Sequence, residues 1–226
     1  MAAWKEWVMD LLFPPKCIFC GALTETGMVC SKCAAELPET GSDALRDLGG
    51  GLHAAAPLYY EGAVRESLLR FKFHGADHYA KGYGPYLART AALEFADRFD
   101  LVSWVPVSKK RRRERGYDQA ELLAAEVSRL WAVKPVRTLE KTVHNPAQSG
   151  IASPEQRRAN VLGVYEAVNR AEWSGKRILL VDDILTTGST LSEAARTLRF
   201  AGAEEVVCLT LAAVREKDDN NVMVTK

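Results

Sequence analysis

Several absences limit what this 226-residue chain can be. No apolar run approaches the ~20 residues that cross a bilayer's hydrocarbon core, so no integral membrane segment is expected. The formal net charge is only +1, so the overall balance points to neither a nucleic acid nor a membrane surface, and any such partner must be served by a local cluster. The opening stretch MAAWKEWVMDLLF lacks the features of a secretory signal: Glu6 and Asp10 interrupt it, and no small-residue cleavage site follows. There are no internal repeats, and no lysine follows a glycine in the spacing of a P-loop. The chain therefore reads as cytoplasmic and unsuited to a triphosphate.

What remains is the composition of a soluble globular protein, 47% hydrophobic and 26% charged. Its length suffices for one ordinary core and a small appendage. Trp4, Trp7, Val8, Leu11 and Leu12 share one helical stripe, which predicts a short amphipathic helix docked on its own domain, or else on a membrane surface or a partner.

Cysteine is scarce but concentrated. Four of the five lie in CIFCGALTETGMVCSKC, as Cys17, Cys20, Cys30 and Cys33. Each C-x2-C turn aims two thiolates at one point, and two such knuckles complete a tetrahedron around Zn²⁺. Four sulfurs leave no open coordination position, so the expected zinc is structural and supplies folding energy that some forty residues cannot gain by burial. Cys208, in the apolar run VVCLTLAAV, reads as a buried small hydrophobe.

Residues 37–51, LPETGSDALRDLGGG, are rich in Gly and acids and read as a linker. Beyond them a strand is expected around 58–60 and helices from about Ala63 and over 84–99. Alternation then follows: strand 101–107, helix 117–131, strand 161–167, strand 177–183, the helix of LSEAARTLRFAG and a strand in EEVVCLTLAAV. Near-continuous apolar strands separated by amphipathic helices predict an α/β fold, a parallel-sheet core with helices on both faces. The expected division is 1–50 for the N-terminal helix, zinc ribbon and linker, 51–216 for the α/β domain, and 217–226 for a polar tail.

The stretch VDDILTTGST is strand, turn and helix start. Ligands of open α/β sheets bind beyond the carboxyl ends of the strands, where Asp182 and Asp183 stand. Thr186, Thr187, Gly188, Ser189 and Thr190 form the turn at the helix N-terminus, whose free N–H groups favour a phosphate. A phosphate beside two carboxylates fits a sugar phosphate: amides hold the anion and acids accept the sugar hydroxyls.

VDDILTTGST resembles the phosphoribosyl pyrophosphate (PRPP) signature of type I phosphoribosyltransferases. With VPVSKKRRRERGYDQAELLA (105–124), the segment carrying Gln148, Arg157 and Asn160, and the four-cysteine module, the chain resembles the ComF family over residues 14–214. That family consists of phosphoribosyltransferase-like proteins associated with natural competence. The resemblance implies a type I phosphoribosyltransferase fold plus a four-cysteine zinc ribbon, with the turn on the 5-phosphate of PRPP and Asp182 and Asp183 on its ribose hydroxyls. Mg²⁺ would bridge pyrophosphate and ribose. It makes SKKRRRERG, six cations and one acid in nine residues, the pyrophosphate loop, with Lys109, Arg112 and Arg115 as contacts. Residues 139–160 become the lid over PRPP, contacting it through Gln148, Arg157 and Arg158, while His144 reads as a solvated loop residue. Two departures stand out: Asp118 replaces the usual Asn, and Val143–Asn145 replaces basic residues and a threonine.

Two functions follow from the resemblance. One is phosphoribosyl transfer with pyrophosphate release to an acceptor the sequence does not name, catalysed through Asp182 and Asp183. The other is a non-catalytic competence protein whose PRPP pocket is a regulatory or relic site, and whose zinc module and surplus cations such as Arg111–Arg113 hold single-stranded DNA or a competence partner such as a helicase.

Overall fold

Along the strand Arg177–Leu185 successive side chains part to opposite sides: Ile178 and Leu180 enter one buried cluster, Leu179 and Val181 the other. A strand covered on both faces has no solvent side to alternate with, which is why ILLV contains no polar residue. The computed structural model describes residues 15–24, 27–142 and 163–216. The N-terminal stripe from Trp4 to Leu12, the lid residues Val143–Asn145, Gln148, Arg157, Arg158 and Asn160, and the tail 217–226 lie outside the described residues.

The elements are α1 (Ser31–Glu36), a 3-10 turn (Gly41–Asp43), β1 (Leu45–Asp47), β2 (His53–Ala55), β3 (Leu58–Tyr59), α2 (Gly62–Phe73), α3 (Tyr79–Phe95), β4 (Leu101–Trp104), α4 (Lys109–Arg115), α5 (Gln119–Trp131), β5 (Leu139–Lys141), β6 (Tyr165–Ala167), α6 (Arg170–Trp173), β7 (Arg177–Leu185), α7 (Ser189–Phe200) and β8 (Glu205–Ala213). The main sheet runs β1-β2-β8-β7-β4, and β3 also pairs with β8. Every pairing in it is parallel except β1 with β2. Helices α2, α3 and α5 cover one face through Leu68, Phe71, Tyr83, Leu87, Leu123 and Val127. On the other face α7 packs through Leu191, Ala194 and Leu198 beside Trp173. The expected parallel core with helices on both faces is therefore present.

Three expectations need correction. Residues 37–51 are not a linker: they hold the 3-10 turn and β1, which hydrogen-bonds antiparallel to β2 at the sheet edge. Three positive-φ glycines, Gly49 to Gly51, reverse the chain between them. Of the expected strand 161–167, the described residues 163–167 are in sheet conformation over Tyr165–Ala167, which pairs antiparallel with β5 in a separate two-stranded ribbon rather than joining the main sheet. The basic run is a helix rather than a loop: α4 starts at Ser108, whose hydroxyl accepts from Arg111 N, and stops at Gly116 in the left-handed region.

The cysteine module is not a separate appendage either. Ile18 and Phe19, the two residues inside the first C-x2-C, are fully buried in the cluster that holds α2, α3 and α5. Among the described residues no helix is long and apolar enough to cross a membrane.

Candidate functional site

The ligand atoms of Cys17, Cys20, Cys30 and Cys33 all lie within 4.8 Å of one another, and the Cys20 and Cys30 sulfurs are 3.7 Å apart. Tetrahedral Zn–S bonds of about 2.3 Å place sulfurs about 3.8 Å apart, so the cluster fits one zinc ion and supports a structural zinc. Local sequence builds the knuckles. Gly21 and Gly27 take positive φ, and the Cys33 N–H donates to Cys30 Sγ at the start of α1. The first knuckle is clasped from below: Arg70 Nη2 of α2 donates to the carbonyls of Ile18 (3.0 Å) and Phe19 (2.7 Å), and Ser67 Oγ also donates to Ile18 O. On α3 a glycine makes room, since a Cβ at Gly82 would stand 2.6 Å from Ile18 Cδ1.

The last turn of the same helix, two residues beyond Arg70, also reaches the acid pair. β7 continues through Asp182 and Asp183 to Leu185, so both acids stand in the strand at the edge where β4 also ends. The Asp183 N–H donates to Asp182 Oδ1 at 2.8 Å. Asp183 Oδ2 pairs with Lys72 Nζ at 2.8 Å, the two side chains being 16% and 19% exposed. Burial raises the Asp182 carboxyl well above the ordinary carboxylate range, and the charge of Asp183 adds to this; the Asp183 amide and Lys72 offset part of it.

Two further cations face these acids from other elements. Burial lowers the Arg115 guanidinium, with the Asp183 charge as the leading opposing influence. Gln119 holds it through an Arg115 Nη1 to Oε1 bond of 2.7 Å, and Phe73 lies under it at 5.0 Å. Lys141 of β5 is likewise lowered by burial, opposed by Asp182 and Asp118. It sits 5.2 Å over the ring of Tyr165.

Beyond β7, Thr186 is exposed while Thr187, Ser189 and Thr190 are half-buried. The Thr187 and Ser189 hydroxyls are 2.9 Å apart. Gly188 has φ +73°, which a side chain rarely adopts, and α7 starts there with its N-terminal amides toward the sheet edge.

On α4 helical spacing divides the cations. Arg111 and Arg115, four apart, are half-buried, and Arg111 influences Lys141 and Tyr165 electrostatically. Lys109, Lys110, Arg112 and Arg113 are exposed. Lys109 pairs with Glu140 at 2.7 Å and Arg112 with Glu121 at 2.9 Å. Of the three cations assigned to the pyrophosphate, Arg115 thus lies beside the acids, whereas Lys109 and Arg112 are engaged by surface glutamates. Asp118 is 2% exposed and accepts from the N–H groups of Val107, Ala120 and Glu121. It fixes the junction of α4 and α5, and burial pushes its carboxyl up to about 6. Just before β6 the chain is pinned to α7, where Glu193 Oε1 accepts from Gly163 N at 2.7 Å.

Asp182, Asp183, the 186–190 turn and Arg115 are therefore brought to one sheet edge, while Gln148 and Arg157 lie outside the described residues. Lys72 and Lys141 were missed. For Lys72 a signal existed: it follows Val64, Leu68 and Phe71 on the buried stripe of α2, where a lysine is out of place.

The family described as phosphoribosyl transferase domain matches residues 115–225, and the double zinc ribbon domain matches residues 8–45. Competence protein F of Haemophilus influenzae is 39% identical over 110 residues, 48% of this chain and 48% of that protein. Competence protein ComFC of Bacillus subtilis is 29% identical over 196 residues, 86% of this chain and 76% of that protein. The match thus spans about half the length of the first relative and three quarters of the second. Among solved structures, the glutamine PRPP amidotransferase from B. subtilis complexed with ADP and GMP is 27% identical, covering 59% of this chain and 26% of that one with a TM-score of 0.41. The domain match, the sheet order and the cysteine cluster together give a type I phosphoribosyltransferase fold carrying a zinc ribbon.

Proposed function

The chain belongs to the ComF family, and on that premise we propose that it binds magnesium-complexed PRPP and transfers the phosphoribosyl group to an acceptor with release of pyrophosphate. The observation that carries this reading is the shared sheet edge: the Asp182–Asp183 pair, the Gly188 turn and Arg115 meet where β4 and β7 end. In this reading the turn's amides and the Thr187 and Ser189 hydroxyls hold the 5-phosphate. The acids accept hydrogen bonds from the ribose hydroxyls and favour the cationic sugar that forms as the C1–oxygen bond to pyrophosphate breaks. Arg115 faces the departing charge.

Magnesium would supply charge neutralisation of the pyrophosphate. The residues present fit an ion that arrives on the ligand's own oxygens, because Asp183 is already paired with Lys72 and Asp182 accepts from a backbone amide. The cytoplasm is the proposed compartment, where four thiolates stay reduced for zinc.

The test is calorimetry with Mg-PRPP, followed by a pyrophosphate-release assay against a panel of nucleobases and amines. Binding that disappears in the Asp182→Asn, Asp183→Asn double variant supports the pocket. No heat of binding from the zinc-loaded wild type at millimolar ligand refutes it.

A second reading, contact with single-stranded DNA, is favoured by one observation. α4 turns Arg111 and Arg115 inward and leaves Lys110 and Arg113 exposed on its outer side, where a phosphate backbone can reach them. The two readings use different faces of one helix and are compatible.

A further inference from the structure

The last turn of α2 reaches the acid pair with three consecutive residues. The Phe71 carbonyl accepts from the Tyr117 hydroxyl, Lys72 meets Asp183, and Phe73 lies under Arg115. The flanking contacts fix the helix end from both sides, so the Lys72 ammonium is held over the acids rather than resting on a solvated surface. We infer that Lys72 is a positioning residue: its ammonium, 2.8 Å from Asp183 Oδ2, sets the charge of the Asp182–Asp183 pair and with it the pH range in which that pair can accept a sugar phosphate. The last clause rests on the proposed PRPP site; the first does not.

The chemistry is that of two like charges on adjacent residues. Both carboxylates are ionised together only where a cation compensates one of them. The groups facing the pair are Lys72 from α2, Arg115 from α4, Asp118 at the start of α5, Lys141 from β5, and Tyr165 and Cys208 from β6 and β8. Of these only Lys72 has a cationic atom in salt-bridge contact with an acid of the pair among the described residues. Asp118 adds negative charge, Tyr165 and Cys208 are neutral at ordinary pH, and Arg115 and Lys141 act at longer range. Removing the Lys72 ammonium therefore lets the pair hold a proton to higher pH. A protonated pair is a poorer acceptor for ribose hydroxyls and a poorer companion for a cationic sugar.

The test is a ¹³C-carboxyl NMR titration of the unliganded, zinc-loaded protein as wild type, Lys72→Met and Lys72→Arg, alongside calorimetry with Mg-PRPP at several pH values. Lys72→Met should raise the pH at which the second carboxyl of the pair ionises by about one unit or more, and Lys72→Arg should restore it. At pH 7 the Met variant should bind Mg-PRPP about tenfold more weakly and recover affinity as the pH rises. A carboxyl titration unmoved by Lys72→Met overturns the inference, even if ligand affinity falls, because Lys72 would then be a direct ligand contact. If the Met variant does not fold, the wild-type Lys72 ¹⁵Nζ signal decides: it must shift in step with the acid pair, and an independent titration overturns the idea. A wild type that ignores Mg-PRPP while its carboxyls respond to Lys72 refutes the proposed function and leaves the positioning role upheld.

Discussion

Leu48 fills the space that a side chain at Gly188 would need: a Cβ there would stand 2.8 Å from Leu48 Cδ2. Leu48 belongs to the β1–β2 hairpin, 140 residues earlier in the chain. The 186–190 turn is thus shaped from outside by an edge element as well as by its own glycine.

Gly188→Ala should lower stability by about 2 kcal/mol in urea unfolding, from left-handed strain together with the clash, and should weaken Mg-PRPP binding. Adding Leu48→Ala removes only the steric part. If the double variant unfolds as early as Gly188→Ala alone, once the cost of Leu48→Ala is subtracted, Leu48 does not shape the turn.

Elemental analysis should find one zinc per chain, falling in Cys20→Ser. Because the first knuckle is part of the main core, stripping the metal should reach beyond the ribbon. A loss of several kcal/mol, visible as a melting point about 10 °C lower, is expected together with faster amide exchange in α2. Unchanged α2 exchange in the metal-free protein would show the ribbon to be uncoupled.

Asp118 gives a pH signature. Its folded pKa of about 6 lies above the ~3.9 of an unfolded aspartate, so between these values the folded chain keeps a proton that the unfolded chain has lost. Stability therefore falls as pH rises from about 4 to about 6, by about 2–3 kcal/mol at most, and stays lower above that. In Asp118→Asn this slope should be missing. Urea midpoints at pH 4 and 7.5 for both proteins measure it, and parallel shifts in the two would refute it.

The outer face of α4 separates the two proposed ligands. Lys110→Gln with Arg113→Gln should lower the salt slope of single-stranded DNA binding by about 1.4 (~0.7 for each DNA phosphate no longer neutralised) and leave Mg-PRPP affinity unchanged. Arg115→Gln should do the reverse. Equal effects of both changes on both ligands would mean that the helix does not divide its labour.

The sheet and the acid–glycine edge were legible because β7 states them locally: an unbroken apolar strand, two acids and a turn follow one another. The cysteine cluster was legible from spacing alone. What local sequence could not give was anything set by distant packing. Residues 37–51 look like a linker because β1 has only three residues, Leu45–Asp47, and is held by its partner rather than by its own pattern. The basic run looks like a loop because six like charges conceal helix capping by Ser108 and Gly116. Lys109 and Arg112 look equivalent to Arg115 in the sequence, and only the fold brings Glu140 and Glu121 beside them.

Helix α2 carries Arg70, which grips the first cysteine knuckle, two residues before Lys72, which grips Asp183. A disturbance that loosens the knuckle slackens the helix end that delivers the countercharge. The zinc ribbon and the acid pair, more than 160 residues apart in sequence, thus hang from the same last turn of one helix.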